Sequence, residues 1–270
     1  MRYRLVCLDA GFTLLTPRRT LEEGLTAMLA EHGRDAGEEE LRQAWEAADR
    51  WFWDEYHRQD NDTWTRDDRI TQTWRDFHGV MLRELGVGEA APAIIERILD
   101  AQFAPDAWEA YPDVVPMLEA LQPARGEGLL IGIVSDWGSN LRDIFVALDL
   151  DQYLDFVLAS GAVGAAKPDP AFFRIALDRA GVEPTHAVMV GDSYRADVLG
   201  ARSAGLDGIL LDRDGDAGPN DALVIRSLAE LLPLVLGTDS IVAADAADAV
   251  GVAPDASAAD APDASAARNA

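Results

Sequence analysis

Leu129-Leu130-Ile131-Gly132-Ile133-Val134 runs without a polar break, and Ser135-Asp136 follow at once. A strand with one buried face alternates apolar and polar residues, whereas a strand covered on both faces stays apolar throughout. The stretch therefore reads as an inner strand of a parallel sheet that delivers a hydroxyl and a carboxylate to its carboxyl end. Working outward, the same pattern recurs. Tyr3 to Leu8 ends at Asp9-Ala10-Gly11-Phe12, Phe156-Val157-Leu158 precedes Lys167, Ala187-Val188-Met189-Val190 ends at Gly191-Asp192-Ser193, and Gly208-Ile209-Leu210-Leu211 closes the series. Helix-like stretches at about 114–121, 141–148, 170–180 and through Ala201 separate these runs. Strand and helix in alternation define an α/β fold with a doubly wound, Rossmann-like parallel sheet and helices on both faces.

Between the first and second of these strands the period changes. Leu21, Leu25, Met28 and Leu29, and later Trp74, Phe77, Met81 and Leu85, recur at three- and four-residue steps, so an all-helical domain is expected to be inserted. The expected division is a core of residues 1–16 and 110–236, a helical insertion of 17–109 and a tail of 237–270. The tail is rich in Ala, Asp, Pro and Ser, has little apolar bulk to offset ordering entropy, and is expected to be disordered.

Composition excludes some functions. A formal net charge of -25 over 270 residues disfavours nucleic acid and anionic membranes, because binding either needs clustered cations that release counterions. Cys7 is the only cysteine and sits in an apolar run, so it reads as a core thiol, and no intrachain disulfide is possible. No apolar stretch approaches a membrane span, and Asp9 interrupts the N-terminal run too early for a signal peptide, so a cytoplasmic location is expected. Lys167 is the only lysine, although Lys and Arg number 23. A compact ammonium can sit beside a carboxylate and a phosphoryl oxygen together, where a guanidinium fork is too broad.

In an open parallel sheet the carboxyl ends of the strands share one edge, where ligand crevices form. Asp9, Ser135, Lys167, Asp192 and Asp197 can therefore converge although they are far apart in sequence. The segments that carry them, Leu8-Asp9-Ala10-Gly11-Phe12-Thr13-Leu14, Ile133-Val134-Ser135-Asp136, Lys167-Pro168-Asp169-Pro170 and Gly191-Asp192-Ser193-Tyr194-Arg195-Ala196-Asp197, resemble in order and spacing the motifs of the haloacid dehalogenase-like hydrolase superfamily. The resemblance covers roughly residues 1–215 and is nearest to the REG-2-like and 2-haloacid dehalogenase-like members.

The resemblance implies a magnesium-dependent hydrolase that acts on a small phosphorylated metabolite. Asp9 would be the nucleophile that forms an aspartyl-phosphate, and Lys167 would hold Asp9 ionised and neutralise a phosphoryl oxygen. Ser135, Thr13 and Asp136 would complete the phosphate-binding set. Mg2+ would be held by Asp9, the backbone carbonyl of Gly11 and Asp192, with Asp197 supporting it from behind. The inserted helices would form the cap that closes over the site and selects the substrate.

One position departs from the pattern. The family's phosphatases carry a second aspartate two residues after the nucleophile as general acid and base, and this chain has Gly11 there, followed by Phe12 where glycine is usual. Two alternatives follow: a binding or regulatory protein of weak turnover, and a 2-haloacid dehalogenase, which displaces a halide and needs no proton donor. In the insertion, Trp45, Trp51, Trp53, Trp64 and Trp74 read mainly as core, while His57, Asp60 and His78 are candidates for a substitute proton donor.

Overall fold

The computed structural model describes residues 1–56, 62–89, 91–218 and 220–237. His57, Asp60, the side chain of Trp53 and the tail beyond Gly237 lie outside the described residues. The strands are β1 (Leu5–Leu8), β2 (Leu15–Pro17), β3 (Trp108–Ala110), β4 (Leu130–Ser135), β5 (Phe156–Ala159), β6 (Ala187–Gly191), β7 (Asp207–Leu211) and β8 (Leu223–Ile225). The helices are α1 (Leu21–Glu31), α2 (Glu38–Tyr56), α3 (Asp67–Glu84), α4 (Ala91–Phe103), α5 (Val114–Gly126), α6 (Leu141–Ala147), α7 (Ser160–Val163), α8 (Pro170–Ala180), α9 (Gly200–Ser203) and α10 (Leu231–Leu236).

Six strands form one parallel sheet in the order β5-β4-β1-β6-β7-β8. The reversal of strand order on either side of β1 places the crevice of a doubly wound sheet at the end of that strand. Alternation along β1 explains its unbroken apolar sequence. Val6 and Leu8 join one buried layer with Leu118, Leu121, Ile144 and Leu231, while Leu5 and Cys7 join the opposite layer with Phe172, Phe173 and Ala201. Both faces of the strand are dry, as the apolar runs anticipated.

Helices α1 to α4 bury a separate cluster that includes Leu25, Leu29, Phe52, Ile70, Trp74, Phe77, Met81 and Leu99. Ile70, Trp74, Phe77 and Met81 lie along one stripe of α3 at three- and four-residue spacing, which is why that face turns inward. Phe52 stacks on Trp74 at 5.8 Å, and Trp45 meets Phe77 edge-on at 5.3 Å. The tryptophans described here therefore serve packing, and their burial drives the assembly of the four helices.

Two features were not anticipated. β2 and β3 pair antiparallel, Leu15 with Ala110 and Pro17 with Trp108, and so join the two ends of the helical segment beside the sheet. The segment after Asp192 winds as a π-helical turn over Tyr194–Leu199 before α9, where the sequence reads as a single helix. The wider turn follows from a side-chain commitment: Ser193 N–H donates to Asp197 Oδ2 at 2.9 Å and Ser193 Oγ accepts from Ala196 N–H at 3.1 Å. π-turns of this kind concentrate where a helix must aim a functional group. Among the described residues no helix is long and apolar enough to cross a membrane.

Candidate active site

β1 carries Asp9 out of the sheet, and the Asp9 N–H still donates to Val190 O at 3.0 Å, so the nucleophile candidate is pinned between β1 and β6. The chain then turns sharply. Phe12 N–H donates to Leu15 O at 2.7 Å, Leu14 N–H donates to Ala10 O at 2.9 Å, and Phe12 takes a left-handed φ of 55°. That conformation costs a residue with a Cβ about 1–2 kcal/mol and explains why glycine suits the position. Here the Phe12 ring meets Trp108 edge-on at 6.4 Å, a contact that offsets part of the cost.

Lys167 reaches the same place from the loop before α8. Asp169 accepts from Ala171 N–H at 2.8 Å and Pro170 opens the helix, so Lys-Pro-Asp-Pro is a helix start that holds Lys167 just upstream. The Lys167 ammonium donates to Asp9 Oδ1 and to Asp197 Oδ1, each at 2.7 Å, with 6% of the residue exposed. Its backbone N–H donates to Asp136 Oδ1 at 2.9 Å. Asp136 thus anchors the lysine loop. Thr13 Oγ donates to Asp192 Oδ1 at 3.1 Å, so Thr13 orients a carboxylate. Ser135 ends β4 and is buried. Gly11 O accepts from Thr13 N–H at 2.6 Å.

Carboxylate oxygens of Asp9, Asp192 and Asp197 all lie within 4.8 Å of one another. Burial pushes the Asp192 carboxyl well above its usual range, and the neighbouring Asp9 and Asp197 push it further. Burial likewise raises Asp197 despite the Lys167 ammonium beside it. Asp136 keeps some accessible surface, yet desolvation by its surroundings lifts it to about 7 against the pull of Lys167. Burial opposes the charge on Lys167, but Asp197, Asp9 and Asp136 outweigh it and hold the ammonium well above its ordinary range. A cluster with more carboxylates than cations is short of positive charge. Its donors are all hard oxygens, the set that suits a small divalent cation such as Mg2+.

Gly191 is the seat for Asp197. A Cβ at position 191 would stand 2.2 Å from Asp197 Cγ, so the close approach of carboxylate and backbone requires glycine there. Three contributors escaped the sequence reading. Arg213 forks onto both oxygens of Asp113 at 3.0 Å, donates to Thr13 O at 2.8 Å and lies over the Tyr111 ring at 4.1 Å. Asp113 also accepts from Ser227 Oγ and Leu228 N–H. The third is Trp137, whose ring would touch a Cβ placed on Gly11 at 3.2 Å. No local spacing marks these residues, because each acquires its role from a segment remote in sequence.

His78 corrects an expectation. It has no accessible surface, its Nε2 lies 3.0 Å from Gln102 Oε1, and burial pushes its pKa down to about 4. A neutral imidazole locked against Trp74 and Phe77 is part of the helical core and is unsuited to donating a proton near neutrality. Its low pKa arises from desolvation, which the sequence pattern around it does not reveal.

Residues 3–205 match the family described as haloacid dehalogenase-like hydrolase. The chain is 31% identical over 241 residues to the haloacid dehalogenase-like hydrolase domain-containing protein 3 of Mus musculus, an alignment that covers 86% of this chain and 94% of the mouse protein. Among solved structures it is similar to a HAD phosphatase from Thermococcus onnurineus, with 30% identity, a TM-score of 0.54, and 88% of this chain and 98% of that one covered. It is also similar to a 2-haloacid dehalogenase from Pseudomonas syringae pv. tomato DC3000, with 28% identity, a TM-score of 0.58, and 87% and 98% covered.

Proposed function

The chain belongs to the haloacid dehalogenase-like hydrolase family, and from that premise we propose that it is a magnesium-dependent phosphohydrolase of small phosphorylated metabolites with Asp9 as nucleophile. The observation that carries the reading is the Lys167 ammonium bridging Asp9 and Asp197, with Asp192 in the same cluster. One Asp9 oxygen is committed to Lys167, which fixes the orientation of the carboxylate. The other oxygen attacks phosphorus, the bond from phosphorus to the ester oxygen breaks, and an aspartyl-phosphate remains until water cleaves it. Asp9, Asp192 and the Gly11 carbonyl would hold Mg2+, with Asp197 behind them. When bound, the ion supplies positive charge against the phosphoryl oxygens and screens the carboxylates from one another. Lys167 would serve a further phosphoryl oxygen, and Ser135, which ends β4, would donate to another.

Gly11 offers no proton to the departing oxygen. General acid catalysis contributes typically about 10²- to 10⁴-fold, so alkoxide leaving groups are handicapped relative to those that leave as stable anions. The helices of residues 17–109 act in this reading as a cap over the site, with Asp67 of α3 accepting from Ser139 N–H at 2.8 Å on the loop after β4. The similarity to a 2-haloacid dehalogenase and the glycine at position 11 favour a second reading, halide displacement by Asp9. Asp192 and Asp197 weigh against it, since that reaction has no use for a carboxylate-rich cation site.

Hydrolysis of para-nitrophenyl phosphate with Mg2+ tests the first reading. Activity is expected to vanish in Asp9→Asn and Lys167→Ala, and its survival in either would refute the proposal. Halide release from a 2-haloacid without metal would establish the second.

A further inference from the structure

The side chain that position 11 lacks has been replaced in space by another. The Trp137 six-membered ring stands where a Cβ on Gly11 would meet it at 3.2 Å, closer than carbon atoms comfortably rest. This ring is held from several sides. Trp137 N–H donates to Ser160 Oγ at 3.1 Å, its carbonyl accepts from Gly161 N–H at 3.0 Å, and its ring packs edge-on against Trp108 at 4.6 Å. Trp108 is itself buried and donates through its indole N–H to Gln102 O at 3.0 Å. Phe12 meets the same Trp108 ring, and both Phe12 and Trp137 keep part of their surface accessible. Trp137 follows Ser135 by two residues and Gly11 follows Asp9 by two, so this aromatic wall rises directly beyond the strand ends that carry the phosphate chemistry.

We propose that Trp137, with Phe12, is the specificity-determining wall for the leaving group, and that the preferred substrates are phosphate monoesters of planar, phenol-like alcohols. The inference rests on the phosphohydrolase reading above and names its substrate class. Two independent features agree. Asp9 lies at the end of β1, so a leaving group displaced in line departs outward from the sheet edge, toward the loops of residues 11–12 and 137. At that place the protein presents indole and phenyl surface, which binds a planar ring by stacking. It also withholds a proton donor, which an aryl oxide does not need. In the step itself the Asp9 oxygen bonds to phosphorus, the bond from phosphorus to the aryl oxygen breaks with its electron pair on that oxygen, and the aryl oxide takes its proton from water after release.

The test compares kcat/KM for phenyl phosphate and n-butyl phosphate, with Mg2+, in the wild-type protein, Trp137→Ala and Trp137→Phe, with Asp9→Asn as the blank. The phenyl-to-butyl ratio is expected to fall about tenfold in Trp137→Ala, mainly through KM for phenyl phosphate, and to be largely retained in Trp137→Phe, which preserves an aromatic face. Thermal unfolding of each variant identifies any that fails to fold, and the phenylalanine variant then decides through the ratio alone. A ratio unchanged in Trp137→Ala, or one that falls as far in Trp137→Phe, overturns the inference while Asp9-dependent turnover leaves the phosphohydrolase reading intact. Absence of Asp9-dependent turnover of both esters in the wild-type protein removes that reading, and the inference with it.

Discussion

Replacing Gly191 by alanine adds one methyl group, yet it strikes Asp197, the carboxylate that accepts from the Lys167 ammonium. The new Cβ would stand 2.2 Å from Asp197 Cγ and Oδ2 and 2.8 Å from its Cβ. Carbon contacts relax only at about 3.5–4.0 Å, so the carboxyl must retreat by more than ~1 Å. The Lys167–Asp197 bond of 2.7 Å and the Ser193–Asp197 bond of 2.9 Å do not survive such a shift. Lys167 is then left buried with Asp9 alone. Removing one partner from a buried ion pair costs about 3–5 kcal/mol, and the retained Asp9 contact argues for the lower end. For a protein of this size ~3 kcal/mol corresponds to a fall in Tm of roughly 6–12 °C. A lysine displaced by ~1 Å should lower kcat about 10²-fold. Thermal unfolding and Mg2+-supported hydrolysis of para-nitrophenyl phosphate measure both, with Gly24→Ala, in the open interior of α1, as the control that leaves them intact or gains up to about 1 kcal/mol. A Gly191→Ala protein with wild-type kcat and a Tm within ~1 °C would refute the argument that glycine is what seats Asp197.

Saturating Mg2+, at about a hundred times its Kd, should add roughly 2.7 kcal/mol of stability, and Asp192→Asn should abolish the resulting rise in Tm; an equal rise in the variant would place the cation elsewhere. Gly11→Asp should raise turnover of alkyl phosphates more than of aryl phosphates, at a stability cost of about 1–3 kcal/mol because Trp137 must yield to the new Cβ; parallel kinetic changes on both substrates would show that a proton donor is not what position 11 lacks. His78 gives a pH dependence of defined sign. The folded protein keeps it neutral down to about 4, whereas the unfolded chain protonates it near 6.5, so the unfolded state binds more protons between those values. Its contribution is intact above about pH 6.5, declines as pH falls toward 4 and then levels, amounting to about 3 kcal/mol. Urea unfolding of wild type and His78→Gln at pH 7 and pH 4.5 should show the variant losing less stability on acidification; identical losses would contradict the burial argument.

Much of the candidate site could be read from sequence because its residues sit where strands end. An apolar run broken by Asp9, Ser135 or Asp192 announces both the strand and the residue it delivers, and Lys167 stands out by being the only one of its kind. The hydrogen-bond partners of Asp136 and Thr13 were less legible. A side chain beyond a strand end can face the ligand or its own neighbours, and these turn to Lys167 N–H and to Asp192. Arg213, Asp113 and Trp137 left no trace, since an arginine among many, or an indole in a loop, gains meaning only from what folding sets against it. The β2–β3 pair was hidden for a related reason: three residues ending at Pro17 are too few to show a period.

That small antiparallel pair bears on more than local packing. Entry to and exit from residues 21–103 occur side by side through Leu15–Pro17 and Trp108–Ala110, so the helical segment joins the sheet domain through a two-rail stem. Beyond the rails, Asp67 accepts from Ser139 N–H and Asn140 donates to Phe103 O, so the loop after β4 holds the helices at a second place. Another helical body grafted onto the same rails would enter and leave the sheet domain at the same point. In the phosphohydrolase reading such an exchange would alter what reaches Asp9 while the strand-end carboxylates and Lys167 stay in place.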